Sequence, residues 1–459
     1  MKLWTYLQNK MQDNLQQLVC EDSAEMTFEE LIIFAKAFSK ELKGIKCCAI
    51  LCKSEMAASL ALLSCFAAEV TALPLSQRYG ELHCNKILDT ICPDAVITDS
   101  NGQFQIVRIS NSTYKEPEVH PALIMCTSGT TGVPKGAMLT ETNIVTNVSD
   151  IAVYFSIDHS DRILISRPLY HCAVLTGEFL TALVKGTRIY FDSGAFNPSH
   201  ILSFIHKHRI TAFCGTPTLL RMIVRFQRNQ ENASLKHLCI SGECMSLEVG
   251  LQIASAFPNA NIYHMYGLTE ASPRISYLPP RLFKEYADCV GIPLRSVSLK
   301  VLSPEGKPVD LNEIGTLWVK GDNIMEGYYQ DPQRTSDVIK DGWLCTGDLA
   351  LFNKAGLLKI IGRSDDLIIK AGMNIYPQEI ENALKLDPRV REVYVSSCKD
   401  EKHGTQIVLN ISGDFLNTAQ VKELCCTHLP AYQVPTRINL LDEIPKNSSG
   451  KIVRRKNVC

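Results

Sequence analysis

The sequence lacks a long apolar run and a recognisable leader segment. The longest uncharged apolar stretch, Ala57 to Ala68, ends at Glu69 and falls well short of the roughly 20 residues that a membrane-spanning helix needs. The first residues, Met1-Lys2-Leu3-Trp4-Thr5, lack the apolar core of a signal peptide. We therefore expect a cytoplasmic protein without a membrane span.

The sequence also lacks an excess of charge of either sign. It has 47 Lys and Arg against 48 Asp and Glu, a net charge of −1, and so offers no basic field for binding nucleic acid. An apolar fraction of 46% is typical of a globular enzyme. Because 459 residues exceed one ordinary core, we expect about two to three structural units.

Cysteine is abundant, but the spacing typical of metal or redox cysteines is absent. The 18 cysteines include no C-x-x-C pair and occur in apolar contexts, such as residues 47–52 and 424–426. Reduced cysteines of this kind serve as small buried residues. The sequence therefore predicts neither a zinc site nor a disulfide framework.

A loop rich in hydroxyls and glycines follows an apolar run at residues 123–126. Its residues are Thr127, Ser128, Gly129, Thr130, Thr131, Gly132, Val133, Pro134, Lys135 and Gly136. Glycines allow close approach of the backbone to an anion, hydroxyls donate to phosphate oxygens, and Lys135 adds a positive charge. A Walker A loop is excluded because Pro134 precedes the lysine. The stretch predicts a polyphosphate site.

The part of the chain around this loop alternates between strand and helix patterns. We predict a helix over 27–43 that begins with a capping box and ends at Gly44. Strands are predicted at 47–52, 94–98 and 122–126, with a helix at 56–68. This order indicates an α/β fold with parallel sheets covered by helices, in which ligands bind beyond the carboxyl ends of strands.

Further short strands are predicted at 162–166, 187–191, 210–214, 238–241 and 261–263, and a helix is expected to begin at Pro217. From about Ser298 the pattern changes to strand, turn and strand. That change indicates a more antiparallel, barrel-like portion.

The last part of the chain has an α+β pattern of its own. Strands are predicted at 393–397, 407–411 and 438–441, with a helix at 419–428. We predict a large N-terminal domain of residues 1–362 and a small C-terminal domain of residues 363–459.

Residues 127–136 resemble the phosphate-binding loop [ST]-S-G-[ST]-T-G-x-P-K-G of the adenylate-forming superfamily. This superfamily comprises acyl- and aryl-CoA synthetases, adenylation domains of peptide synthetases, and firefly-type luciferases. Four further segments match its motifs in the same order: residues 266–270 (Y-G-L-T-E), 341–348 (D-G-W-L-C-T-G-D), 362–363 (G-R) and 445–452 (P-K-N-S-S-G-K-I). The resemblance implies a large AMP-binding domain and a small mobile domain.

The resemblance implies a Mg²⁺–ATP site. Glu270 would be the metal ligand, Thr269 would contact the α-phosphate, and Tyr266 would stack on adenine. Asp348 and Arg363 would bind the ribose. The full set implied to bind ATP or AMP is Thr127, Ser128, Gly129, Thr130, Thr131, Gly132, Lys135, Ser241, Gly242, Glu243, Tyr266, Gly267, Thr269, Asp348, Arg363 and Lys451.

Catalysis is implied to depend on the small domain. Lys451 would be the lysine of adenylation, placed between the substrate carboxylate and the α-phosphate. Asp365 occupies the family's hinge position, where the small domain is expected to rotate after the first half-reaction. Lys370 and Gly372 would line the tunnel for the thiol, with the glycine leaving room for a pantetheine arm.

Residues 167–173 resemble the P-L-[FY]-H segment of fatty acyl- and aryl-CoA synthetases, in which the histidine, here His171, borders the acyl pocket. The predicted pocket consists of His171, Val174, Gly177, Gly267 and Ala271. Amino-acid-activating relatives have an aspartate at the position of Cys172. Because an unpaired ammonium in a closed pocket would cost several kcal/mol, the cysteine favours a fatty or aryl carboxylate.

The expected function is an ATP-dependent acid–thiol ligase that forms an acyl-adenylate, releases pyrophosphate and transfers the acyl group to CoA or to the phosphopantetheine of a carrier protein. Three alternatives stay open: a stand-alone adenylation enzyme for an amino acid, a non-catalytic acyl or nucleotide sensor, and a luciferase-like monooxygenase.

Overall fold

The structure is a computed structural model that describes residues 1–76, 80–100, 103–127, 134–192, 197–226, 234–370, 373–400, 404–445 and 452. Within these ranges no helix combines the length and the apolar character that crossing a bilayer would require. Some predicted site residues lie outside the described residues: Ser128, Gly129, Thr130, Thr131, Gly132, Gly372 and Lys451.

Helices alternate with strands through most of the described chain. The helices are α1 (Leu3–Gln12), α2 (Phe28–Phe38), α3 (Glu55–Ala68), α4 (Glu81–Ile91), α5 (Glu141–Tyr154), α6 (Cys172–Val174), α7 (Thr181–Lys185), α8 (Pro198–His208), α9 (Pro217–Phe226), α10 (Leu247–Ala256), α11 (Phe283–Tyr286), α12 (Pro332–Val338), α13 (Pro377–Leu384) and α14 (Thr418–His428). A π-helical turn, Leu175–Leu180, joins α6 to α7.

The strands of the first half are β1 (Leu18–Glu21), β2 (Ala24–Thr27), β3 (Cys47–Ile50), β4 (Thr71–Pro74), β5 (Ala95–Ser100), β6 (Gln103–Arg108), β7 (Leu123–Thr127), β8 (Lys135–Leu139), β9 (Arg162–Ile165), β10 (Arg188–Phe191), β11 (Ala212–Gly215), β12 (His237–Ser241) and β13 (Asn261–Gly267). Those of the second half are β14 (Arg274–Leu278), β15 (Ile292–Pro293), β16 (Val297–Leu302), β17 (Gly315–Gly321), β18 (Gly327–Tyr328), β19 (Ile339–Lys340), β20 (Trp343–Phe352), β21 (Leu358–Arg363), β22 (Ile368–Lys370), β23 (Met373–Ile375), β24 (Val390–Asp400), β25 (Gly404–Gly413) and β26 (Arg437–Leu440).

Two helix-covered sheets form the large domain, as the alternation of elements predicts. The described strands of one run in the order β15-β14-β13-β12-β11-β9-β10-β1-β2, and those of the other in the order β18-β8-β7-β4-β3-β5-β6. The central strands are parallel, whereas antiparallel pairs lie towards the edges. The main core lies between the two sheets and includes buried side chains from α1, α2, α3 and α5.

The five-stranded sheet that begins at Val297 is antiparallel, which confirms the predicted change of pattern. Strands β16, β17, β20 and β19 pair in that order, and β21 pairs with β20. Strand β20 contains Asp348 and β21 ends at Arg363, and the sequence assigns both residues to the nucleotide site.

The C-terminal part has its own core between α13, α14 and the sheet of β24, β25 and β26. Helix α13 and strands β22 and β23 were not predicted. Their sequences are short, and Pro377 at the start of α13 provides the only strong boundary signal.

The capping box at Thr27 is present, because its hydroxyl accepts a hydrogen bond from the backbone N–H of Glu30 while the Glu30 carboxylate accepts one from the N–H of Thr27. The helix ends at Phe38, however, and not near residue 43. Residues 39–43 form successive turns with hydrogen bonds to the third residue back, so the predicted helix was too long by one turn.

Most of the described cysteines support the prediction of reduced, small buried residues, but Cys398 is disulfide-bonded and contradicts the prediction at that position. Cys20, Cys47, Cys65, Cys214 and Cys239 are free thiols buried in the core. Burial raises the pKa of Cys20 to about 11, which keeps that thiol protonated at neutral pH.

Candidate functional site

The two ends of the predicted phosphate loop are held side by side. Thr127 ends β7, Lys135 begins β8, and the two residues are opposite each other in an antiparallel pair. The intervening residues therefore start and finish at one point of the seven-stranded sheet. The Lys135 Nζ atom lies 5.5 Å from the centre of the Tyr328 ring.

The predicted ribose site is a connected group of three side chains. The Tyr266 hydroxyl donates a hydrogen bond to Asp348 Oδ2. Arg363 Nη1 lies 3.1 Å from Asp348 Oδ1 and also donates to the Thr346 carbonyl at 2.9 Å. The structure thus brings together Tyr266, Asp348 and Arg363, which are distant in sequence.

Local sequence explains how this group forms. Asp348 and Arg363 are direct partners across β20 and β21, and the Asp348 N–H donates to Thr346 Oγ1 at 3.0 Å. Gly347 has a φ of +71°, which side chains rarely tolerate. A β-carbon there would lie 3.0 Å from Arg363 Nη2, so glycine lets the guanidinium approach the strand.

Burial governs the protonation of the group. Burial, and then the nearby Asp348 carboxylate, raises the pKa of Tyr266, which therefore acts as a hydrogen-bond donor at neutral pH. Burial also raises the pKa of Asp348, while Arg363 and the Tyr266 hydroxyl oppose that shift. The carboxylate is consequently charge-paired and keeps acceptor capacity for further hydroxyls.

The predicted metal ligand, Glu270, has a partner that sequence reasoning missed. Tyr328 donates its hydroxyl hydrogen to Glu270 Oε1 at 2.8 Å. Burial, followed by the Glu270 charge, raises the pKa of Tyr328, so this hydroxyl is protonated at neutral pH. The signal available in the sequence was the aromatic pair Tyr328-Tyr329 following Gly327.

Glu270, Tyr328 and Lys135 therefore form one group beside the end of the predicted phosphate loop. Among the described residues, no set of three or more His, Cys, Asp or Glu side chains is arranged to hold a metal. A single carboxylate suits Mg²⁺, which proteins hold with one or two carboxylates together with substrate phosphates. The residues present thus fit a metal that arrives with a nucleotide.

The segment Ser241-Gly242-Glu243, predicted to line the adenine pocket, follows β12. Glu243 Oε2 accepts a hydrogen bond from Thr218 Oγ1 at 2.5 Å and another from the Thr218 N–H. The Glu243 carboxylate thus accepts hydrogen bonds at the start of α9, next to Pro217. Gly242 has a φ of +97°, so the strand turns sharply here.

The predicted acyl-pocket residues lie on two segments that contact each other. His171, Val174 and Gly177 belong to the helical stretch around α6, and Thr176 Oγ1 in that stretch donates to the Ser272 carbonyl at 3.0 Å. Ala271 is fully buried in the opposite turn. His171 packs against Tyr170, with ring centres 4.1 Å apart.

Cys172 is buried, and burial raises the pKa of its thiol to about 12. The residue is therefore neutral at physiological pH and supplies no negative charge for a substrate ammonium. Its Sγ lies 4.0 Å from Thr176 Oγ1.

A cavity of about 200 Å³ borders the same stretch at Leu169 and Tyr170. Its other walls come from the ends of β3 and β4 and from the start of α3. None of the five predicted acyl-pocket residues lines this cavity. Sequence reasoning did not identify it because its walls are ordinary strand ends.

Asp365, predicted as the hinge, lies in a 3₁₀ turn, Ser364–Asp366, between β21 and β22. Lys370 is the last residue of β22. Two arginines of α9 in the large domain donate to main-chain carbonyls beyond this turn. Arg221 reaches those of Lys385, Val390 and Arg391, and Arg225 reaches those of Pro388 and Val390.

Two families described as AMP-binding enzyme and AMP-binding enzyme C-terminal domain match residues 8–329 and 379–451, respectively. A long-chain-fatty-acid–CoA ligase of Haemophilus influenzae is 35% identical over 362 residues, which make up 74% of this chain and 63% of that ligase. A feruloyl-CoA synthase of Amycolatopsis is 33% identical over 339 residues, 72% of this chain and 68% of that synthase.

Solved structures are similar over nearly the whole chain. The o-succinylbenzoate CoA synthetase of Bacillus subtilis, in complex with its acyl-adenylate intermediate, has a TM-score of 0.84 and 26% identity and covers 98% of both chains. An anthranilate CoA ligase in complex with anthranoyl-AMP has a TM-score of 0.87 over 98% of this chain and 95% of that one. At 20% identity the latter shows the fold alone.

Proposed function

Because the chain belongs to the AMP-binding enzyme family, we propose that it is an ATP-dependent acid–thiol ligase. In the first half-reaction a carboxylate oxygen attacks the α-phosphorus of ATP, and the bond to pyrophosphate breaks. In the second, the sulfur of a pantetheine thiol attacks the acyl carbon and AMP leaves. The observation that carries the proposal is the group formed by Tyr266, Asp348 and Arg363.

That group suits a ribose with two adjacent hydroxyls. The Asp348 carboxylate would accept hydrogen bonds from both, while Arg363 keeps it ionised and fixed. A charged acceptor makes stronger hydrogen bonds than a neutral one. The Tyr266 ring, held through its hydroxyl, would form one wall of the adenine site.

The phosphates would bind between the loop that starts at Thr127 and the group of Lys135, Tyr328 and Glu270. Lys135 would offset phosphate charge, and Tyr328 would hold the Glu270 carboxylate in a fixed orientation. When bound beside Glu270, Mg²⁺ would neutralise charge on the phosphate oxygens. Thr269 would donate its hydroxyl to the α-phosphate.

Lys451 and Asp365 supply the remaining roles in the proposal. Lys451 would place its ammonium between the attacking carboxylate and the α-phosphate. A rotation at Asp365 would then replace Lys451 by the segment containing Lys370 and Gly372, along which the thiol would enter. This exchange of catalytic faces is a hinge-type rearrangement.

The substrate is proposed to be a fatty or aryl carboxylic acid. The names of the two relatives, a long-chain-fatty-acid–CoA ligase and a feruloyl-CoA synthase, support both classes. The neutral Cys172 thiol disfavours an α-amino acid because it leaves a substrate ammonium without a partner. CoA is the proposed acceptor, with a carrier protein as the alternative, and the cytoplasm is the proposed location.

The test is a pyrophosphate-release screen with the purified chain, ATP, Mg²⁺ and panels of fatty, aryl and amino acids. Release with fatty or aryl acids, followed by thioester formation on CoA, is the expected result. Turnover of amino acids alone would overturn the interpretation of Cys172. Binding of ATP without pyrophosphate release would favour a sensor, and oxygen consumption during turnover would favour a luciferase-like enzyme.

A further inference from the structure

Two buried charged side chains, Glu178 and Arg274, and the partly buried Arg167 lie beside the predicted acyl pocket and are here called the buried charge cluster. Arg167 Nη2 donates to Glu178 Oε1 at 2.5 Å. Glu178 is 1% exposed and Arg274 is 2% exposed. Burial raises the pKa of Glu178, whereas the charges of Arg167 and Arg274 oppose that shift. The cluster thus contains two cations and one carboxylate, which is committed to Arg167.

Arg274 has no counter-ion among the described residues. Its Nε and Nη2 atoms are buried and make no hydrogen bond within the described part of the chain, and the second oxygen of Glu178 does not reach them. The nearby Tyr154 phenol and Cys172 thiol cannot neutralise the guanidinium, because burial raises the pKa of both groups. A buried charge without a partner is costly.

Hydrogen bonds to neighbouring side chains hold the backbone of Arg274 and thereby fix the position from which its side chain extends. The Arg274 N–H donates to Asn147 Oδ1 at 3.1 Å, and the Arg274 carbonyl accepts from Asn147 Nδ2 at 2.8 Å and from Asn323 Nδ2 at 3.1 Å. Ser276 follows two residues later on β14, and alternate strand residues point to one face. Its hydroxyl is also buried without a hydrogen-bond partner among the described residues.

The guanidinium lies against a residue of the predicted acyl pocket. A β-carbon on Gly177 would be 3.2 Å from Arg274 Nη2 and 3.4 Å from its Cζ. Glycine at this position therefore leaves one side of the guanidinium uncovered by a side chain. The same helical stretch contacts the turn before Arg274 through Thr176 and the Ser272 carbonyl.

We propose that Arg274 is a specificity-determining residue that binds a second carboxylate on the acyl part of the substrate, with Ser276 as a further donor. The preferred substrates would then be dicarboxylic acids, of which one carboxylate is activated and the other pairs with Arg274. This inference rests on the proposed ligase function. Because a site that pairs with a substrate group rejects analogues lacking it, an unmodified fatty acid would leave the guanidinium unpaired.

The experiment compares octanedioate with octanoate, and 4-carboxyphenylacetate with phenylacetate, in pyrophosphate release by the full chain. The variants are Arg274→Met, Arg274→Lys and the matched control Arg281→Met, which removes an exposed arginine of the same domain. For the unmodified chain and the control, we expect kcat/KM to favour the diacid of a pair by about 100-fold. Arg274→Met is expected to reverse that preference, and Arg274→Lys to retain part of it.

Equal loss with every acid in Arg274→Met, together with a lower melting temperature, would assign Arg274 a purely structural role and overturn the proposal. A monoacid preference in the unmodified chain would overturn it as well. If the variants do not fold, calorimetric binding of each acid to the unmodified chain decides between the same outcomes. Absence of pyrophosphate release with all acids would refute the ligase function, whereas the binding preference would still test Arg274.

Discussion

The proposed ribose end and the proposed acyl end of the candidate site differ in how their charged side chains are paired. At the ribose end, one carboxylate, Asp348, is paired with one guanidinium, Arg363, and accepts a hydrogen bond from Tyr266. At the acyl end, the buried charge cluster has two guanidinium groups for one carboxylate. The charges at the first end are paired within the chain, whereas at the second we propose that a substrate carboxylate supplies the missing partner.

This difference corresponds to the difference between ATP, which all members of the family bind, and the acid, which differs between members. The nucleotide is the same in all reactions of such an enzyme. The side chains that bind it can therefore be paired with each other before it binds. The acid differs between members, and an unpaired buried charge discriminates strongly because only a matching substrate compensates it. Substitutions at the ribose end should therefore affect all acids equally, and those at the acyl end should affect them selectively.

The largest effect is expected for Lys451→Ala, because Lys451 is the residue proposed to act in adenylation of every acid. Loss of the ammonium should slow adenylation by roughly 100- to 1,000-fold with every acid. Thioester formation from preformed acyl-adenylate should be largely spared, because that step does not require attack at phosphorus. Single-turnover assays of both half-reactions measure this, with Lys422→Ala as a control. Equal loss of both half-reactions would contradict the role assigned to Lys451.

Asp348→Asn should be next in size. The amide cannot pair with Arg363 and is a weaker acceptor for ribose hydroxyls, so kcat/KM for ATP should fall by about 100-fold. The decrease should be the same for mono- and dicarboxylic acids. Asp442→Asn, at an exposed position, is the control. A decrease that depended on the acid would contradict the proposed difference between the two ends of the site.

Gly177→Ala tests the acyl end with a single methyl group. The new β-carbon would be 3.2 Å from Arg274 Nη2, so the guanidinium would have to shift by a few tenths of an ångström. We expect about a tenfold change in kcat/KM, confined to the acid and absent from ATP. Steady-state kinetics with octanedioate and ATP varied in turn would measure it. A change of similar size in the KM for ATP would contradict the assignment of Gly177 to the acyl pocket.

Tyr328→Phe should have the smallest effect. It removes the hydrogen bond to Glu270 without removing the carboxylate, which corresponds to about 1 kcal/mol and so to a severalfold higher requirement for Mg²⁺. Titration of pyrophosphate release against Mg²⁺ tests this expectation, and Tyr286→Phe at a partly buried position outside the candidate site is the control. An unchanged Mg²⁺ requirement would contradict the proposal that Tyr328 orients the Glu270 carboxylate.

The sequence predicted the parts of this molecule that depend on local pattern. The capping box at Thr27, the helix beginning at Pro217 and most of the short strands were correct because each is specified by neighbouring residues. The paired motifs around Asp348 and Arg363 were also informative, since adjacent strands place them opposite each other. Helix length after Phe38 was wrong because helical periodicity continued into a run of turns.

The parts that were missed depend on contacts between distant segments. Nothing near Arg274 in sequence indicates that Glu178 is paired with Arg167 or that Gly177 lies against the guanidinium. The role of Tyr328 likewise depends on the pairing of β18 with β8, which brings its side chain to Lys135 and Glu270. Charge pairing of this kind follows from the tertiary fold.

The arginine pair of α9 has a consequence for the timing of any domain movement. Arg221 and Arg225 donate to the carbonyls of Lys385, Pro388, Val390 and Arg391 in the C-terminal part of the chain. These acceptors are main-chain atoms, so changes of side chain in that loop would not weaken the contact. The rotation proposed at Asp365 would have to break these hydrogen bonds if the small domain moves relative to α9. Residues far from both substrates can thereby set the interval between the two half-reactions.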